Sequence, residues 1–339
     1  GLFYGLTTMI VGYFLNYNFS SLLLFSGSLA FSDYVRGKIL TGFPWNLWAY
    51  SWSWFTEVLQ ILNTIGLFAF NLLSITIFTI PAVIFFKCAS IRKIFIMCST
   101  FLLVFLIFIY GSFTINKNEI LINNFDKNNK VYTKVISPSF ELKYNLSFKE
   151  VENKLKKMIK FSEPDPDKKT LFVWPEGIFT GYNFDEIYQS KGLFEKNFTN
   201  NHKILLGINT KDKKTGEYFN SLLIVNNQFE IIHKYNKNKL VPFGEFLPFE
   251  SFLQKLGLKK ITQGYGSFSK GKTKTNIIID NINMLPLICY EIIFPELIQT
   301  RGYQTNLLVN ISEDGWFGNS IGPHQHFAKA IFRAIENNT

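Results

Sequence analysis

Hydrophobic residues are distributed differently in the two halves of the chain. Residues 1–113 contain long uncharged runs, including 29 residues between Glu57 and Lys87 and an apolar run from Ile94 to Ile109. About 20 apolar residues are needed to cross a hydrocarbon core of about 30 Å. We therefore predict that these two runs form membrane-spanning helices rather than buried helices of a soluble protein.

The first 32 residues are also uncharged. A polar break at 16–18 divides them, which predicts the remainder of one span followed by another. The chain does not begin with Met, and its last residues, Ala330 to Thr339, have a helical pattern. We expect a fragment of a longer protein, truncated at both ends.

From residue 116 onward, charged residues recur and the pattern is that of a globular domain. An amphipathic helix is predicted around Phe148 to Phe161. Strands are predicted at 131–136, 171–174, 204–208, 221–226, 276–279, 285–289 and 306–311. This alternation indicates a layered α/β domain with a sheet core. The expected organisation is a transmembrane helical segment at 1–115 and an α/β domain at 116–339.

The link between the two predicted spans is basic. It carries Lys87, Arg92 and Lys93 and no acidic residue, so the positive-inside rule places it in the cytoplasm. The α/β half then lies on the opposite side, which in a bacterium is the periplasmic side of the inner membrane.

An aromatic segment at 36–56 lies before the first of these spans. It contains Gly42-Phe43-Pro44-Trp45, followed by Trp48, Tyr50, Trp52 and Trp54. Such density suits a periplasmic loop at headgroup level. Two interpretations stay open: a simple interfacial belt, or a loop that helps admit lipid to a site above it.

The composition excludes some function classes. Hydrophobic residues make up 47% of the chain, which includes 37 Phe, both high for a soluble protein of 339 residues. The net charge of +10 comes mostly from Lys dispersed among Asn and Glu, so we expect no nucleic-acid partner. The four His lack zinc-like spacing and no glycine-rich phosphate loop occurs, so neither a metal nor another cofactor is expected.

Reactive side chains occur at the ends of two predicted strands and in one loop. Glu176 comes directly after a buried strand, a position where desolvation fits a carboxylate for base work. Cys289 ends another strand, and Lys237 lies in a loop rich in Pro and Gly. The other cysteines, Cys88 and Cys98, belong to the membrane half, so Cys289 has no disulfide partner in its own compartment. These features favour a cysteine nucleophile over a buried structural cysteine.

Together with the spans, these motifs resemble a known family. The α/β half is similar to the carbon-nitrogen hydrolase (nitrilase) superfamily, whose signature is a Glu, Lys, Cys triad on an αββα sandwich. The Gly-Phe-Pro-Trp loop, Val-Pro-Phe-Gly-Glu-Phe-Leu-Pro-Phe at 241–249 and Asn-Ile-Ser-Glu-Asp-Gly-Trp-Phe-Gly at 310–318 resemble its apolipoprotein N-acyltransferase branch. The resemblance implies a nitrilase-like αββα catalytic domain that is incomplete at its C-terminus.

The resemblance also implies an activity. Cys289 would take an acyl chain from a phospholipid as a thioester and pass it to the α-amino group of diacylglyceryl-cysteine on an apolipoprotein. Glu176 would serve as general base and acid. Lys237 and the backbone N–H of Tyr290 would stabilise the oxyanion. The alternatives are a membrane-tethered amidase, in which water discharges the acyl-enzyme, and a non-catalytic scaffold that retains the triad.

Further residues match the family's motifs. Glu245 and Glu291 are expected to orient Lys237 and keep it charged. Trp45, Tyr144 and Trp316 are expected to contact lipid substrate. The chain departs from the family where Gln-Gly-Asn and Lys-Trp are common, since it has Ile136-Ser137-Pro138-Ser139 and Lys143-Tyr144 there. Tyr144 either keeps an aromatic wall for lipid or reflects a looser substrate contact.

Overall fold

The computed structural model describes residues 1–123, 131–249, 255, 257, 267–272, 276–298 and 305–339. The chain divides into two compact units. The first comprises Gly1–Phe125, Ile293–Gln299 and His324–Thr339, and the second comprises Asp126–Ile292 and Thr300–Pro323. This division differs from the boundary expected after residue 115, because the helix that begins at Ser90 continues to Asn123 and because two later segments join the first unit.

The first unit is helical. Its helices are α1 (Leu2–Gly12), α2 (Phe19–Lys38), α3 (Thr56–Leu59), α4 (Leu62–Thr79) and α5 (Ser90–Asn123), with 3₁₀ turns at Trp48–Trp52 and Ile80–Phe85. Two helical stretches, Leu62–Phe85 and Ser90–Asn123, are long and apolar enough to cross a membrane. Both were predicted from the sequence. The predicted polar break also falls between α1 and α2.

Helix α5 exposes large apolar side chains along its length. Phe95, Phe101 and Phe113 are each about 70% exposed. In water each would cost roughly 2 kcal/mol relative to burial, whereas a hydrocarbon environment removes that cost. The exposed surface of α5 is therefore compatible with a hydrocarbon environment.

Helix α4 is kinked at Gly66, which has φ +76° and ψ 169°. A glycine tolerates this left-handed backbone because it has no Cβ. The kink frees the N–H of Leu67, which donates to Glu336 Oε1 at 2.7 Å. Glu336 belongs to the last helix, α9 (Gly322–Asn337), so its carboxylate compensates the broken helical hydrogen bond.

The second unit contains a five-stranded sheet in the order β1-β2-β3-β4-β5. Its strands are β1 (Tyr132–Val135), β2 (Thr170–Val173), β3 (His202–Lys211), β4 (Tyr218–Val225) and β5 (Ile231–Asn236). β1, β2 and β3 run parallel, whereas β4 and β5 are antiparallel to their neighbours. Strand β5 was not predicted from the sequence.

Three helices cover one face of this sheet: α6 (Phe148–Ser162), α7 (Phe184–Ile187) and α8 (Lys191–Asn197). Ser147 and Glu150 form a capping box that fixes the start of α6. The apolar side of α6, including Val151, Leu155 and Met158, packs into a core that also contains Phe172 and Leu206 of the sheet.

A second, three-stranded sheet has the order β6-β7-β8, with β6 (Ile277–Ile279), β7 (Ile282–Ile288) and β8 (Leu307–Ile311). Its apolar residues share one core with the other face of the first sheet. The described residues of this unit therefore form a helix layer and two packed sheets. This is the expected nitrilase-like α/β arrangement of sheets and helices, and it places the ends of β2, β5 and β7 around the same core.

Candidate active site

Lys237 directly follows β5 and is held between two carboxylates. Its Nζ lies 2.9 Å from Glu245 Oε1 and 3.5 Å from Glu176 Oε1, and its side chain is only 1% exposed. Its backbone N–H donates to the carbonyl of Asn220 in β4 at 2.9 Å. Burial alone would lower the pKa of Lys237, but the charges of Glu176 and Glu245 outweigh burial and raise it well above its ordinary value. Lys237 therefore stays an ammonium.

Asn220 joins the two carboxylates on either side of Lys237. Its Nδ2 donates to Glu176 Oε1 and to Glu245 Oε1, both at 2.6 Å. A single amide group thus bridges two acids that would otherwise repel each other. Sequence analysis did not identify Asn220, because an isolated Asn in a strand carries no motif and its role depends on its position opposite Lys237.

Glu176 is positioned by a close approach of two backbones. It follows β2, where Trp174 N–H donates to Leu205 O at 2.8 Å. A Cβ added at Gly207 in β3 would lie 2.6 Å from the Cα of Glu176 and 2.9 Å from Ile311 Cδ1. Only glycine fits there, so the sequence of β3 lets Glu176 reach Lys237.

Glu245 closes a tight turn that begins at Val241. Its Oε2 accepts from the Val241 N–H at 2.8 Å, and its own N–H donates to the Val241 carbonyl at 2.8 Å. The turn aims Oε1 at Lys237, so the expected pairing of Glu245 with Lys237 is present in the geometry.

Cys289 is the first residue after β7 and has a left-handed backbone with φ +49°. Non-glycine residues rarely adopt this conformation, because it costs about 1–3 kcal/mol and persists only where the surrounding structure enforces it. The strand was predicted to include Cys289, but it ends at Ile288 because the backbone turns sharply there. Such outliers cluster at functional sites, since the turn presents the side chain beyond the sheet.

Ser312 stands beside Cys289 because of strand register. Ile288 of β7 pairs with Ile311 of the parallel strand β8, so the next residue of each chain segment is adjacent. Their side chains are hydrogen-bonded to each other, and Ser312 Oγ donates to Asp314 Oδ1 at 2.5 Å. Sequence analysis missed Ser312, since only the pairing of β7 with β8 reveals it.

The thiol of Cys289 is strongly biased toward its protonated form. Burial and then the negative charge of Glu176 raise its pKa to about 12, against the opposing charge of Lys237 and the hydrogen bond with Ser312. The charges of Glu176, Lys237 and Glu245 all act on the sulfur. The thiol requires a base before it can react as a nucleophile.

Glu291 interacts with Lys237 through charge, without a direct ion pair among the described residues. It is fully buried and accepts from the Tyr235 hydroxyl at 2.9 Å and from the backbone N–H groups of Asn238, Lys239 and Ile288 at 2.6, 3.0 and 2.9 Å. It does not pair with Lys237 among the described residues. Burial raises its pKa, whereas these backbone donors oppose the rise.

Glu291 therefore fixes two segments at once. It ties the loop after Lys237 to the end of β7, from which Cys289 projects, and Tyr235 carries the connection across the two sheets. Tyr290, whose N–H was expected to stabilise an oxyanion, lies between Cys289 and Glu291 and is only 8% exposed.

The aromatic residues expected to contact substrate fall into two groups. Tyr144 and Trp316, both in the second unit, lie edge to face with ring centroids 5.8 Å apart. Trp45 belongs to the first unit, where it stacks on His326 at 5.7 Å and donates from Nε1 to Gln325 at 2.8 Å. Lys329 Nζ lies 4.1 Å from the centroid of the Trp45 ring. Contacts with helix α9 thus cover part of Trp45.

The described side chains include a thiol, carboxylates and a buried ammonium whose charges act on one another. A thiol projects from a strained turn, a carboxylate and an ammonium act on it, and a second carboxylate holds the ammonium. A thiol can form a covalent acyl intermediate once a base takes its proton. A buried ammonium can stabilise the negative oxygen that develops when a carbonyl is attacked.

Comparison with known proteins identifies the family. The carbon-nitrogen hydrolase family model matches residues 142–339. Apolipoprotein N-acyltransferase from Brucella melitensis is 29% identical over 344 residues, covering 99% of this chain and 63% of that protein. The protein of the same name from Rickettsia prowazekii is 30% identical over 309 residues, covering 90% of this chain and 60% of that protein.

The chain spans about three fifths of the length of these curated relatives. Among solved structures, Nit3 of Saccharomyces cerevisiae, a member of branch 10 of the nitrilase superfamily, is 23% identical. It matches 56% of this chain and 68% of its own, with a TM-score of 0.39. Because the family model covers more than half of the sequence, the chain belongs to the carbon-nitrogen hydrolase family.

Proposed function

We propose that this chain transfers a fatty acyl group from a phospholipid, through a thioester on Cys289, to the N-terminal α-amino group of a diacylated apolipoprotein. The observation that carries the proposal is the ion pair of Lys237 with Glu176, whose charges both act on the Cys289 thiol. The chain also has two helices long and apolar enough to span a membrane. A soluble amide substrate gives no reason for such helices. The names of the curated relatives support the same activity.

The first half-reaction forms the thioester. Glu176 takes the thiol proton as the sulfur of Cys289 attacks the ester carbonyl of the phospholipid. The resulting oxyanion is stabilised by the Lys237 ammonium and the Tyr290 N–H, each such donor contributing about 3–4 kcal/mol. When the intermediate collapses, the alcohol of the lysophospholipid leaves with the proton that Glu176 returns.

The second half-reaction forms an amide. The uncharged α-amine of the acceptor attacks the thioester carbonyl, and Glu176 removes a proton from the attacking nitrogen. The same donors stabilise the second oxyanion. Collapse expels the thiolate of Cys289, which takes the proton from Glu176 and restores the resting site.

The proposed location is the bacterial inner membrane. The basic link at 87–93 lies between the two candidate spans, so the positive-inside rule assigns it to the cytoplasm and the second unit to the periplasmic side. Phospholipid donor, lipoprotein acceptor and enzyme would then share one membrane surface.

The proposal is tested by the intact mass of the complete protein after incubation with phospholipid in detergent. We expect an added fatty acyl group that Cys289→Ala abolishes and that Cys98→Ala, a substitution of an exposed cysteine in α5, retains. A diacylated lipopeptide should then discharge the adduct as an N-acyl product. No adduct with any phospholipid would refute the proposal. Discharge to fatty acid regardless of the lipopeptide would favour a hydrolase.

A further inference from the structure

Glu313 is a carboxylate beside the proposed base that none of the steps above uses. It comes two residues after β8, and the side chain of its neighbour Ser312 is hydrogen-bonded to that of Cys289. A Cβ added at Gly177 would lie 2.9 Å from the Cβ of Glu313. Glu313 therefore contacts the residue that follows the proposed base, and it comes directly after the residue whose side chain interacts with the proposed nucleophile.

The carboxylate of Glu313 is only partly satisfied. Its Oε1 accepts from the Gly315 N–H at 2.9 Å, and no ion pair joins it to a described cationic side chain. Burial raises the pKa of Glu313, the Gly315 hydrogen bond opposes that rise, and the charge of Glu176 adds to it. The charge of Lys154 lowers the pKa of Glu313, but no salt bridge joins these two described side chains, and Lys154 Nζ donates to the Ile178 carbonyl at 3.3 Å. A positive group bound at Glu313 would relieve the repulsion between the carboxylates of Glu313 and Glu176.

An aromatic surface flanks the same carboxylate. Trp316, three residues further on, is half exposed and contacts Tyr144. The charge of Glu313 acts on Tyr144, whose pKa is raised by burial first and by Glu313 second. Aromatic faces and a carboxylate together suit a primary ammonium. The carboxylate attracts its charge and accepts its hydrogen bonds, and the aromatic faces attract the same charge.

We propose that Glu313 binds the primary ammonium of the acyl acceptor and so positions its nitrogen, which loses one proton to solvent before the uncharged amine attacks the thioester. This inference rests on the proposed function. An α-amine near neutral pH is largely protonated, so the acceptor arrives as a cation. Its nitrogen must approach the thioester carbonyl and Glu176, and Glu313 lies beside the backbone of Glu176. A phospholipid headgroup can also carry an ammonium, but that group is separated from the reacting ester by the phosphate and glycerol.

The experiment separates the two half-reactions in the complete protein. The acyl-enzyme is formed with phosphatidylethanolamine or phosphatidylglycerol, and its discharge is followed at varied concentrations of a diacylglyceryl-cysteine lipopeptide. Glu313→Gln keeps the side-chain oxygen that Gly315 N–H contacts but removes the charge. The matched control is Glu230→Gln, an exposed glutamate at the β4–β5 turn. Hydroxylamine, a small nucleophile that is uncharged near neutral pH, serves as a second discharging agent.

For Glu313→Gln we expect an acceptor KM raised about tenfold, the size of effect that a lost charge-assisted hydrogen bond produces. The rate at saturating acceptor, acylation from both lipids and discharge by hydroxylamine should change little. An unchanged KM would overturn the inference, as would equal slowing with lipopeptide and hydroxylamine. Slower acylation from phosphatidylethanolamine alone would assign Glu313 to the donor headgroup instead. If the unsubstituted protein forms no acyl-enzyme, the proposed function fails and this inference fails with it.

Discussion

At the scale of single residues, the resting site suppresses its own nucleophile. The carboxylate of Glu176 raises the pKa of Cys289 after burial has done so, and Lys237 opposes both only in part. The same carboxylate is the proton acceptor in the proposed reaction. The thiol is therefore protected from unwanted alkylation or oxidation, which require the thiolate, until a substrate carbonyl makes proton transfer to Glu176 productive.

This arrangement predicts opposite effects of one substitution. Glu176→Gln removes a negative charge beside the sulfur, so the pKa of Cys289 should fall and alkylation by iodoacetamide should begin at lower pH. Acylation by phospholipid should nevertheless drop by about 10²–10⁴-fold, because the base is lost. Peptide mass spectrometry of the Cys289 peptide across a pH series measures the first effect. A midpoint that stays in place or rises would contradict the assigned electrostatics.

Lys329 is a second residue with an unusual charge state. It is 1% exposed, its Nζ donates to the Gln325 carbonyl at 3.0 Å, and it lies 4.1 and 4.4 Å from the ring centroids of Trp45 and Tyr50. It makes no ion pair with a described carboxylate. Burial lowers its pKa to about 7. Cation–π contacts of this kind recover only about 2 kcal/mol of the cost of desolvation.

Lys329→Met should therefore stabilise the protein by about 1–2 kcal/mol at pH 7, since methionine fills the site without a charge. Between pH 7 and the ordinary pKa of lysine, the folded state binds fewer protons than the unfolded state. Stability should thus rise with pH in the unsubstituted protein, and Lys329→Met should remove that rise. Thermal unfolding in detergent measures both effects, with exposed Lys157→Met in α6 as control. A destabilised Lys329→Met variant would contradict the argument.

At the scale of elements, the site depends on how closely strands and loops approach. Gly207 in β3 leaves no room for a Cβ against Glu176, and Glu291 ties the loop after β5 to the end of β7. Gly207 and Glu291 do not themselves react in the proposed mechanism. They position Glu176, Lys237 and Cys289, which do. A substitution at such a position can slow the reaction by displacing a reacting group by about 1 Å.

Gly207→Ala tests the first of these contacts. The added methyl group would lie 2.6 Å from the Glu176 backbone, so β3 and the segment after β2 must separate. We expect a loss of about 1–3 kcal/mol of stability and a fall in acyl-enzyme formation of about 100-fold. Gly192→Ala, in helix α8 with nothing within 4 Å of the new Cβ, is the matched control and should be neutral or slightly stabilising. Equal behaviour of the two variants would exclude the proposed close approach.

Hydrophobic patterning predicted the long apolar helices, helix α6 and most of the strands. It missed β5, whose residues are largely exposed and include His233 and Lys234, so no apolar alternation marks the strand. The short helices α7 and α8 were missed because one or two turns carry too little periodicity. Glu176, Lys237 and Cys289 could be proposed from the sequence because each comes at or just after a predicted element or motif, and their catalytic roles stay predictions. Asn220 and Ser312 required the registers of β4 and β8, which no local pattern contains.

At the scale of the whole molecule, a helical unit with two candidate membrane spans and a layered α/β unit are combined in one chain. The division into units was not predictable from composition, because residues 293–299 and 324–339 join the helical unit although their sequence resembles that of the rest of the second half. Membership of a unit depends on tertiary contacts, and amphipathic segments such as α9 are compatible with either kind of neighbour.

The proposed topology predicts on which side of the membrane each segment is accessible. In a Cys98→Ala, Cys289→Ala background, Cys88 should react with a membrane-impermeant maleimide in inside-out vesicles and not in intact spheroplasts. A cysteine introduced at Lys214, an exposed turn residue between β3 and β4, should show the reverse pattern. Labelling of both positions from the same side would refute the assignment.

The left-handed backbone of Cys289 also has a consequence for protein engineering. At a position with φ +49°, glycine is the residue that relieves the strain, and it also removes the sulfur. Selection for folding alone would therefore drift away from cysteine here, and only selection for chemistry would retain it. An unreactive variant for trapping the proposed lipid and lipoprotein substrates is thus obtained with least disturbance by glycine at 289, and the trapped complex would show how both are held.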